Sequence, residues 1–344
     1  MDKTARGKAQ HLRELHRRPL PVQIAPHGLG LRLLLPSWLY LFRQPARPKA
    51  ISTVSGSMVW SPEDYLLLWQ CGFFGKGTLS RSELTWEMRQ TRGGGGEGIA
   101  GLKQKTSDPS GSAQDPGILS LGQALDLESN QDDPAALPPS LKGLESMQLT
   151  AEESFFLAFA LGSLEVTHSV SKKQLTILDL WSKFHADAVV QRSRHPPTEG
   201  EIWCPDNPFV VAYAAYHFYR ALKWVVRSGI KFGTDFVLYQ KGPAFRHSDY
   251  AVTVISTKPS AQRQHSPEPE IESSGRPSST WQQFLASSRV CAQANKRMLL
   301  CYVQVPDTLS VETHRDDPAA ALRQYSIFDV VVSRWVPQRT REAA

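Results

Sequence analysis

The sequence is poor in cysteine, with four among its 344 residues. The four show neither CxxC spacing nor the density of a disulfide scaffold: Cys71, Cys204, Cys291 and Cys301. This scarcity argues against a zinc ribbon and against a small disulfide-stabilised secreted domain. It favours a protein of a reducing compartment.

Long apolar runs are also missing. No stretch approaches the roughly 20 residues that a transmembrane helix needs. The longest candidate, residues 29–42, is interrupted by Arg32 and Pro36. The sequence therefore predicts no transmembrane segment.

Standard catalytic signatures are absent as well. The sequence contains no P-loop, no G-x-S-x-G, no H-E-x-x-H and no G-x-G-x-x-G placed after a strand. The glycine run 93–96 lies in polar surroundings, unlike a phosphate-binding loop. Carboxylates are sparse around His247, which argues against a two-metal nuclease. If this chain is a nuclease, it would have to cleave nucleic acid with protein groups alone.

The chain is basic, and its composition allows part of it to fold around a hydrophobic core. The formal net charge is +6, and hydrophobic residues make up 41% of the chain, enough for a sizeable core. The length suggests about two folded units. Residues 1–25 are rich in Lys and Arg and predict a mobile basic arm, whereas Asp2 disfavours a transit peptide. An anionic partner is compatible with this charge.

Composition divides the rest of the chain. Residues 26–91 form an N-terminal region with a short strand at 31–35 and a helix that is capped by Ser61 and ends at Gly72. Residues 92–145, rich in Gly, Ser, Pro and Asp, predict a flexible linker. Residues 146–200 predict a helical segment, with a capping box at Thr150 and Glu153.

The C-terminal part, residues 201–338, predicts a small α+β domain. A disordered insertion at 258–279, rich in Ser, Pro, Gln and Glu, interrupts it. The predicted elements are, in chain order, a helix at 208–222, strands at 224–226, 236–239 and 251–255, a helix at 281–296, and strands at 299–303 and 328–332.

A basic and aromatic segment, residues 216–250, is the first candidate for function. Between His217 and His247, six cations face one acid, Asp235: Arg220, Lys223, Arg227, Lys231, Lys241 and Arg246. Cations interleaved with aromatic rings suit phosphates and bases together. A solvated basic face is the alternative interpretation.

Tyr239 and His247 are candidates for proton transfer. Tyr239 ends a predicted strand, and a Gly242-Pro243 turn separates it from His247, so both side chains are expected at one rim of the sheet. Histidine titrates near neutrality and suits acid or base catalysis. A packed tyrosine and a surface histidine are the structural alternative.

Several segments in this order resemble the catalytic domain of tRNA-splicing endonucleases, over roughly residues 203–338. They are 216–243, 247–250, 289–296, 299–303 and 333–337. Three upstream segments are similar to the larger eukaryotic catalytic subunit, which is assigned to the 5′ splice site: 60–64, 75–82 and 149–157. The resemblance implies a nuclease domain of the tRNA-intron-endonuclease type, which is restriction-endonuclease-like.

The resemblance further implies metal-independent RNA cleavage without a cofactor, of the lyase type, by Tyr239, His247 and Lys296. Tyr239 would accept the proton of the ribose 2′-hydroxyl, and His247 would donate a proton to the leaving 5′-oxygen. Lys296 would stabilise the phosphoryl charge. From the residues alone, an exposed lysine at a helix end is the preferred interpretation of Lys296, and only the resemblance reverses it.

A second pair, Arg289 and Trp335, carries over as a cation–π clamp on a bulged RNA base. From the residues alone, Trp335 suits a core or an interface. One position departs from the family pattern, because Lys223 stands where glycine is common. We therefore expect the local turn to differ.

The implied partners are precursor tRNA, a second catalytic subunit and two structural subunits in a heterotetramer. The implied location is the nucleus, or the mitochondrial outer surface as in some fungi. Three alternatives stay open: the 3′-splice-site catalytic subunit, a non-catalytic structural subunit, and a general RNA-binding protein.

Overall fold

The computed structural model describes residues 13–14, 16, 20, 47–80, 145–192, 196–257, 281–307 and 309–333. Most of the basic arm, the strand at 31–35, residues 92–144 of the linker and the insertion at 258–279 lie outside this part. Within it, no helix is both long enough and apolar enough to cross a membrane.

The N-terminal unit is built on a mixed sheet that the sequence patterns did not predict. Its strands are β1 (Lys49–Thr53), β2 (Gly56–Val59), β3 (Lys76–Gly77), β4 (Met147–Thr150) and β5 (Glu165–Thr167). Their order is β3-β4-β2-β1-β5, antiparallel except for the parallel pair β1 and β5. The segment 146–200 therefore contributes strands as well as helices.

Helix α1 (Pro62–Gly72) confirms the predicted capping. The Ser61 hydroxyl accepts a hydrogen bond from the Asp64 amide at 3.5 Å, and Pro62 occupies the first turn. The helix stops at Phe73, which adopts a left-handed backbone with φ 55°. The predicted end of the helix is thus confirmed, with an aromatic residue in the conformation that glycine usually takes.

Helix α2 (Ala151–Phe155) begins with the predicted capping box. Thr150 Oγ1 accepts from the Glu153 amide, and a Glu153 carboxylate oxygen accepts from the Thr150 amide, both at 3.2 Å. The apolar residues 155–164 predict that the α-helix continues to Leu164, and this prediction is wrong. Residues Phe156–Ala160 form a π-helical turn, in which the Leu161 amide bonds to the Phe156 carbonyl.

The next helices follow the sequence signals closely. The amphipathic pattern of residues 177–190 predicts a helix, which α3 (Ile177–Arg192) confirms, and α5 (Pro208–Ala221) confirms the helix predicted at 208–222. Between them, the short helix α4 (Glu199–Ile202) overlaps residues 194–201, whose polar sequence predicts a break between helices. Thr198 and Glu201 form a capping box there, and this signal explains the helix.

The C-terminal unit contains a second sheet of order β10-β9-β8-β7-β6. Its strands are β6 (Val225–Ser228), β7 (Phe236–Tyr239), β8 (Tyr250–Thr257), β9 (Arg297–Gln304) and β10 (Ser326–Val332). The pairs are antiparallel except for β8 and β9, which run parallel. These strands and their helices confirm the predicted α+β class.

Three further helices complete the unit. Helix α6 (Trp281–Gln293) precedes β9, and α7 (Val311–Asp316) and α8 (Pro318–Leu322) precede β10. All four cysteines are free thiols.

One hydrophobic core runs through both units. Helix α5 contacts the second sheet, and it also contacts α2 and α3 of the N-terminal side. Its residues are buried on almost every face, as expected of a helix between two layers. Trp181, Tyr213 and Val254 belong to this core and are at most 1% exposed. The two units therefore fold against each other.

A buried carboxylate ties the units together. Glu153 accepts hydrogen bonds from the Gly75 amide at 3.3 Å and from Arg227 Nη1 at 3.2 Å, besides its capping contact. The Arg227 and Glu153 side chains are 13% and 5% exposed. A buried ion pair of this kind fixes the relative position of α2 and β6.

A buried histidine pair forms a second link between the units. The Nε2 atoms of His185, on α3, and His314, on α7, lie 3.2 Å apart. The Nδ1 atoms lie 2.8 Å from the Trp181 carbonyl and 3.0 Å from the Trp203 carbonyl, respectively. Burial lowers the pKa of His185 to about 3 and also lowers the pKa of His314. Both rings are therefore neutral at pH 7.

We expect Glu153→Ala to lower the free energy of unfolding by about 3–5 kcal/mol, because it leaves the Arg227 guanidinium buried without its partner. Urea denaturation would measure the change. The matched control is Asp316→Ala, which removes a solvent-exposed ion pair with Arg315 and should leave the free energy of unfolding nearly unchanged. Equal losses in the two variants would contradict the role of Glu153.

Acid should destabilise the fold through His185. The unfolded chain binds a proton at an ordinary histidine pKa near 6.5, whereas the folded chain resists protonation down to about 3. This contribution to stability is present above pH 6.5 and is lost as the pH falls. It should cost about 2 kcal/mol between pH 6.5 and pH 5.

Urea unfolding at both pH values checks this, with His185→Gln as the non-titrating comparison. The acid-induced loss should be smaller in that variant. The same loss in both proteins would show that the histidine does not contribute.

Candidate active site

Three strand ends meet at one edge of the second sheet. Strand β7 ends at Tyr239, and its Leu238 pairs with Tyr250 at the start of the antiparallel β8. Tyr250 pairs in turn with Arg297 at the start of the parallel β9. The residues that follow β7 and those that precede β8 and β9 are therefore neighbours in space. The three predicted catalytic residues belong to these segments.

Tyr239 lies on the sheet face that helix α6 covers. The half-buried side chain packs, together with Phe232, against a small cluster of Val237, Ala251 and Cys291. Cys291 belongs to α6, and Val237 lies two residues before Tyr239 on the same face of the strand. The phenol is thus directed to the α6 side of the edge.

Lys296 lies beside the same cluster. Its Nζ donates a hydrogen bond to the Ser248 carbonyl at 3.2 Å and lies 4.8 Å from the centroid of the Phe232 ring. Phe232 thus contacts both the Tyr239 cluster and the Lys296 ammonium. Partial burial lowers the pKa of Lys296, and the Cys291 thiol and the Asp249 carboxylate oppose that shift.

The expectation that helix α6 reaches Lys296 is wrong. The helix ends at Gln293, because Asn295 takes a left-handed backbone with φ 52°. The Lys296 amide then bonds back to the Cys291 carbonyl at 2.8 Å. This bend separates Lys296 from the helix and delivers it to the start of β9.

His247 lies in the loop between β7 and β8. Within that loop, Gly242 has φ 101°, and its carbonyl accepts from the amides of Phe245 and Arg246 at 3.1 and 3.3 Å. His247 is exposed, and the next residue, Ser248, supplies the carbonyl that binds Lys296. The lysine therefore binds the backbone of the residue that follows the histidine, at the same edge as Tyr239.

Of the two predicted clamp residues, the structure describes only one. Arg289 is exposed on helix α6, and Trp335 lies outside the described residues. No described contact joins Arg289 to Tyr239, His247 or Lys296. The clamp stays a prediction.

Two cations of the basic segment make contacts inside the fold instead of contributing to an exposed surface. Arg220 donates to the Gly72 carbonyl at 3.0 Å and lies 4.0 Å from the centroid of the Phe74 ring. Arg227 donates to the Phe73 carbonyl at 2.8 Å. The interpretation of the whole segment as a phosphate-binding face is therefore wrong for these two arginines. Lys231, Lys241 and Arg246 are exposed, as that interpretation requires.

Lys223 explains the departure from the family pattern. Its backbone is left-handed, with φ 68°, the conformation that glycine adopts at no steric cost. The turn is thus of the type that glycine favours, and the lysine takes it despite the cost. The expectation that this turn differs from the turn in the family stays a prediction.

Sequence reasoning missed the residues that hold the predicted catalytic groups. Phe232 and the Ser248 carbonyl fix the Lys296 ammonium, and Asp249 lies 3.4 Å from Arg246 in an ion pair beside it. A backbone carbonyl leaves no trace in sequence. The contact between Phe232 and Lys296 depends on the pairing of β8 with β9, and local sequence patterns do not reveal that pairing.

In the described ranges, no group of three or more His, Cys, Asp or Glu side chains is arranged to hold a metal ion. The groups at this edge are a phenol, an imidazole and an ammonium. An ammonium is suited to anionic oxygen, and the other two are suited to proton transfer. The arrangement fits chemistry on a phosphodiester.

Comparison with known proteins gives the family. The model of the tRNA intron endonuclease, catalytic C-terminal domain, matches residues 209–311. The probable tRNA-splicing endonuclease subunit sen2 of Schizosaccharomyces pombe is 30% identical, and the alignment covers 96% of this chain and 99% of that protein.

Two other relatives are matched over a smaller part of this chain. The tRNA-splicing endonuclease subunit Sen2 of Rattus norvegicus is 36% identical over 57% of this chain, which spans about a third (36%) of that protein's length. The subunit SEN2 of Saccharomyces cerevisiae is 26% identical over 83% of each chain. The chain therefore belongs to the family of Sen2 subunits of tRNA-splicing endonucleases.

Proposed function

We propose that this chain is a catalytic subunit of tRNA-splicing endonuclease that cuts intron-containing precursor tRNA at the 5′ splice site. The observation that carries the proposal is the hydrogen bond from Lys296 to the carbonyl beside His247, at the sheet edge where Tyr239 ends β7. The upstream segments 60–64, 75–82 and 149–157 support the 5′ assignment, because they resemble the subunit to which that site is assigned.

The proposed reaction is a transesterification. The ribose 2′-oxygen attacks the adjacent phosphorus and forms a new P–O2′ bond while the P–O5′ bond breaks. Tyr239 in its phenolate form accepts the 2′-hydroxyl proton, and His247 in its protonated form gives a proton to the leaving 5′-oxygen. The products are a 2′,3′-cyclic phosphate and a 5′-hydroxyl, with no water consumed.

Lys296 supplies the electrostatic part of the mechanism. Negative charge accumulates on the non-bridging phosphoryl oxygens in the transition state, and a fixed cation stabilises it most where water is excluded. The ammonium is partly buried and held by Phe232 and the Ser248 carbonyl. It would therefore reorganise little during the reaction.

The proposed assembly is a heterotetramer with a second catalytic subunit and two structural subunits, located in the nucleus. Attachment to the mitochondrial outer surface is the alternative location. The alternative assignments, a 3′-cutting subunit and a non-catalytic subunit, differ in which cut depends on this chain. The variant described next separates them.

His247→Ala in the reconstituted enzyme should lower the single-turnover rate of 5′ cleavage by about 10²–10⁴-fold, because the leaving oxygen loses its proton donor. Because His247 is exposed, folding and RNA affinity should be unchanged. Gel analysis of the fragments measures the rate, and the 3′ cut on the same RNA is the internal control. Normal 5′ cleavage would reject the proposal, and selective loss of the 3′ cut would assign the chain to the other site.

Cleavage should persist in EDTA, because the three proposed groups need no metal. Spermidine would keep the precursor tRNA folded in this assay. We expect a 5′-cleavage rate within about twofold of the rate in magnesium. A loss in EDTA with spermidine present, reversed by added magnesium, would contradict the metal-independent mechanism.

A further inference from the structure

We propose that Phe73, in the N-terminal unit, is a positioning residue for the loop that carries His247. The inference rests on the proposed function, since it concerns the step that His247 performs. It assigns part of the catalytic geometry to a residue outside the family's matched region at 209–311. We refer to residues 240–248 as the His247 loop.

The backbone of Phe73 is held in an unusual conformation. Its left-handed φ of 55° is a genuine outlier for a bulky residue and is held only because the surrounding structure enforces it. Two contacts hold it there. Its amide donates to the Trp69 carbonyl at 2.9 Å, and its carbonyl accepts from Arg227 Nη1 at 2.8 Å. The ring is 5% exposed, so its direction is fixed by the surrounding structure.

The ring of Phe73 lies directly against the His247 loop. A Cβ atom placed on Gly242 would come within 2.3 Å of a Phe73 ring carbon, so the ring covers the face of that glycine. The φ of 101° at Gly242 also requires glycine. Further along the loop, the Phe245 ring meets Phe73 edge-on, with centroids 6.1 Å apart. The loop thus rests on Phe73 at two points before His247.

His16, from the basic arm, packs against both Phe73 and Phe245. Its ring stacks on Phe73 with centroids 4.4 Å apart and meets Phe245 edge-on at 5.5 Å. Its Nδ1–H donates to the Gln70 carbonyl, near the end of α1, at 2.8 Å. The three rings therefore join the arm, helix α1 and the His247 loop.

The loop is anchored on the other side of His247 as well. Lys296 binds the Ser248 carbonyl, and the Asp249 amide donates to the Leu238 carbonyl at 3.0 Å. His247 itself is exposed, so the backbone on both sides determines where its imidazole can reach. Removal of the Phe73 contact would free one of the two sides. A displacement of about 1 Å can slow a positioned reaction by about 100-fold.

The test compares Phe73→Leu with Phe74→Leu in the full chain within the reconstituted enzyme. Both rings are buried, but the Phe74 ring contacts Arg220 and Phe156 instead of the loop. We expect Phe73→Leu to lower the single-turnover 5′-cleavage rate at saturating precursor tRNA by about tenfold or more, with unchanged RNA affinity. Phe74→Leu should lower the unfolding midpoint comparably and change the rate less than twofold.

His16 gives a second pair of variants that leaves the core intact. His16→Ala should lower the same rate by a few-fold, and His16→Phe, which keeps the stacked ring, should restore it. Equal rate losses in Phe73→Leu and Phe74→Leu, or no loss in Phe73→Leu, would overturn the inference. His247→Ala assayed in parallel distinguishes the two proposals. If that variant still cuts normally, the proposed function itself fails.

Discussion

The position of the candidate site depends on the buried guanidinium of Arg227. This side chain leaves β6 of the catalytic sheet and reaches the N-terminal unit, where it binds the Phe73 carbonyl and the Glu153 carboxylate and lies 5.5 Å from the Trp69 ring. A cation with so little exposure is stable only where its donors are satisfied. The end of α1, the start of α2 and strand β6 must therefore meet in one arrangement.

That arrangement places an N-terminal surface against the loop of the candidate site. The guanidinium holds the carbonyl of Phe73, and the ring of the same residue covers Gly242 in the His247 loop. The buried ion pair of Arg227 and Glu153 thus restrains the strained backbone of Phe73, and Phe73 in turn restrains the loop that carries the exposed His247 imidazole. A strained residue next to a site is a common way for a fold to fix geometry there.

Local sequence signals predicted the parts of the fold that local chemistry determines. The cap at Ser61, the capping box at Thr150 and the helix at 208–222 depend on neighbours in sequence, and the structure confirms them. The first sheet escaped prediction because its strands are two to five residues long and pair across distant segments, β2 with β4 for example. Period-two alternation is not visible in runs so short.

For the candidate site, sequence supplied the residue types and the resemblance supplied their roles. Tyr239 and His247 were expected at one rim because of the turn between them, and strand pairing brings their segments together with Lys296. The support around them was not predictable. Arg220 and Arg227 look like surface cations in sequence, since only tertiary contacts with α1 bury them. The same limit applies to Phe73, whose contact with the loop joins residues far apart in the chain.

This dependence gives the N-terminal unit a part in holding the loop of the candidate site. The family's catalytic domain matches residues 209–311, which contain the phenol, the imidazole and the ammonium. The surfaces that hold the His247 loop in place are divided between that region and helix α1. Because Glu153, Arg227 and Phe73 are joined by direct contacts, a change that loosens the unit interface would also reach the loop. The geometry of the candidate site therefore depends on contacts made by both units.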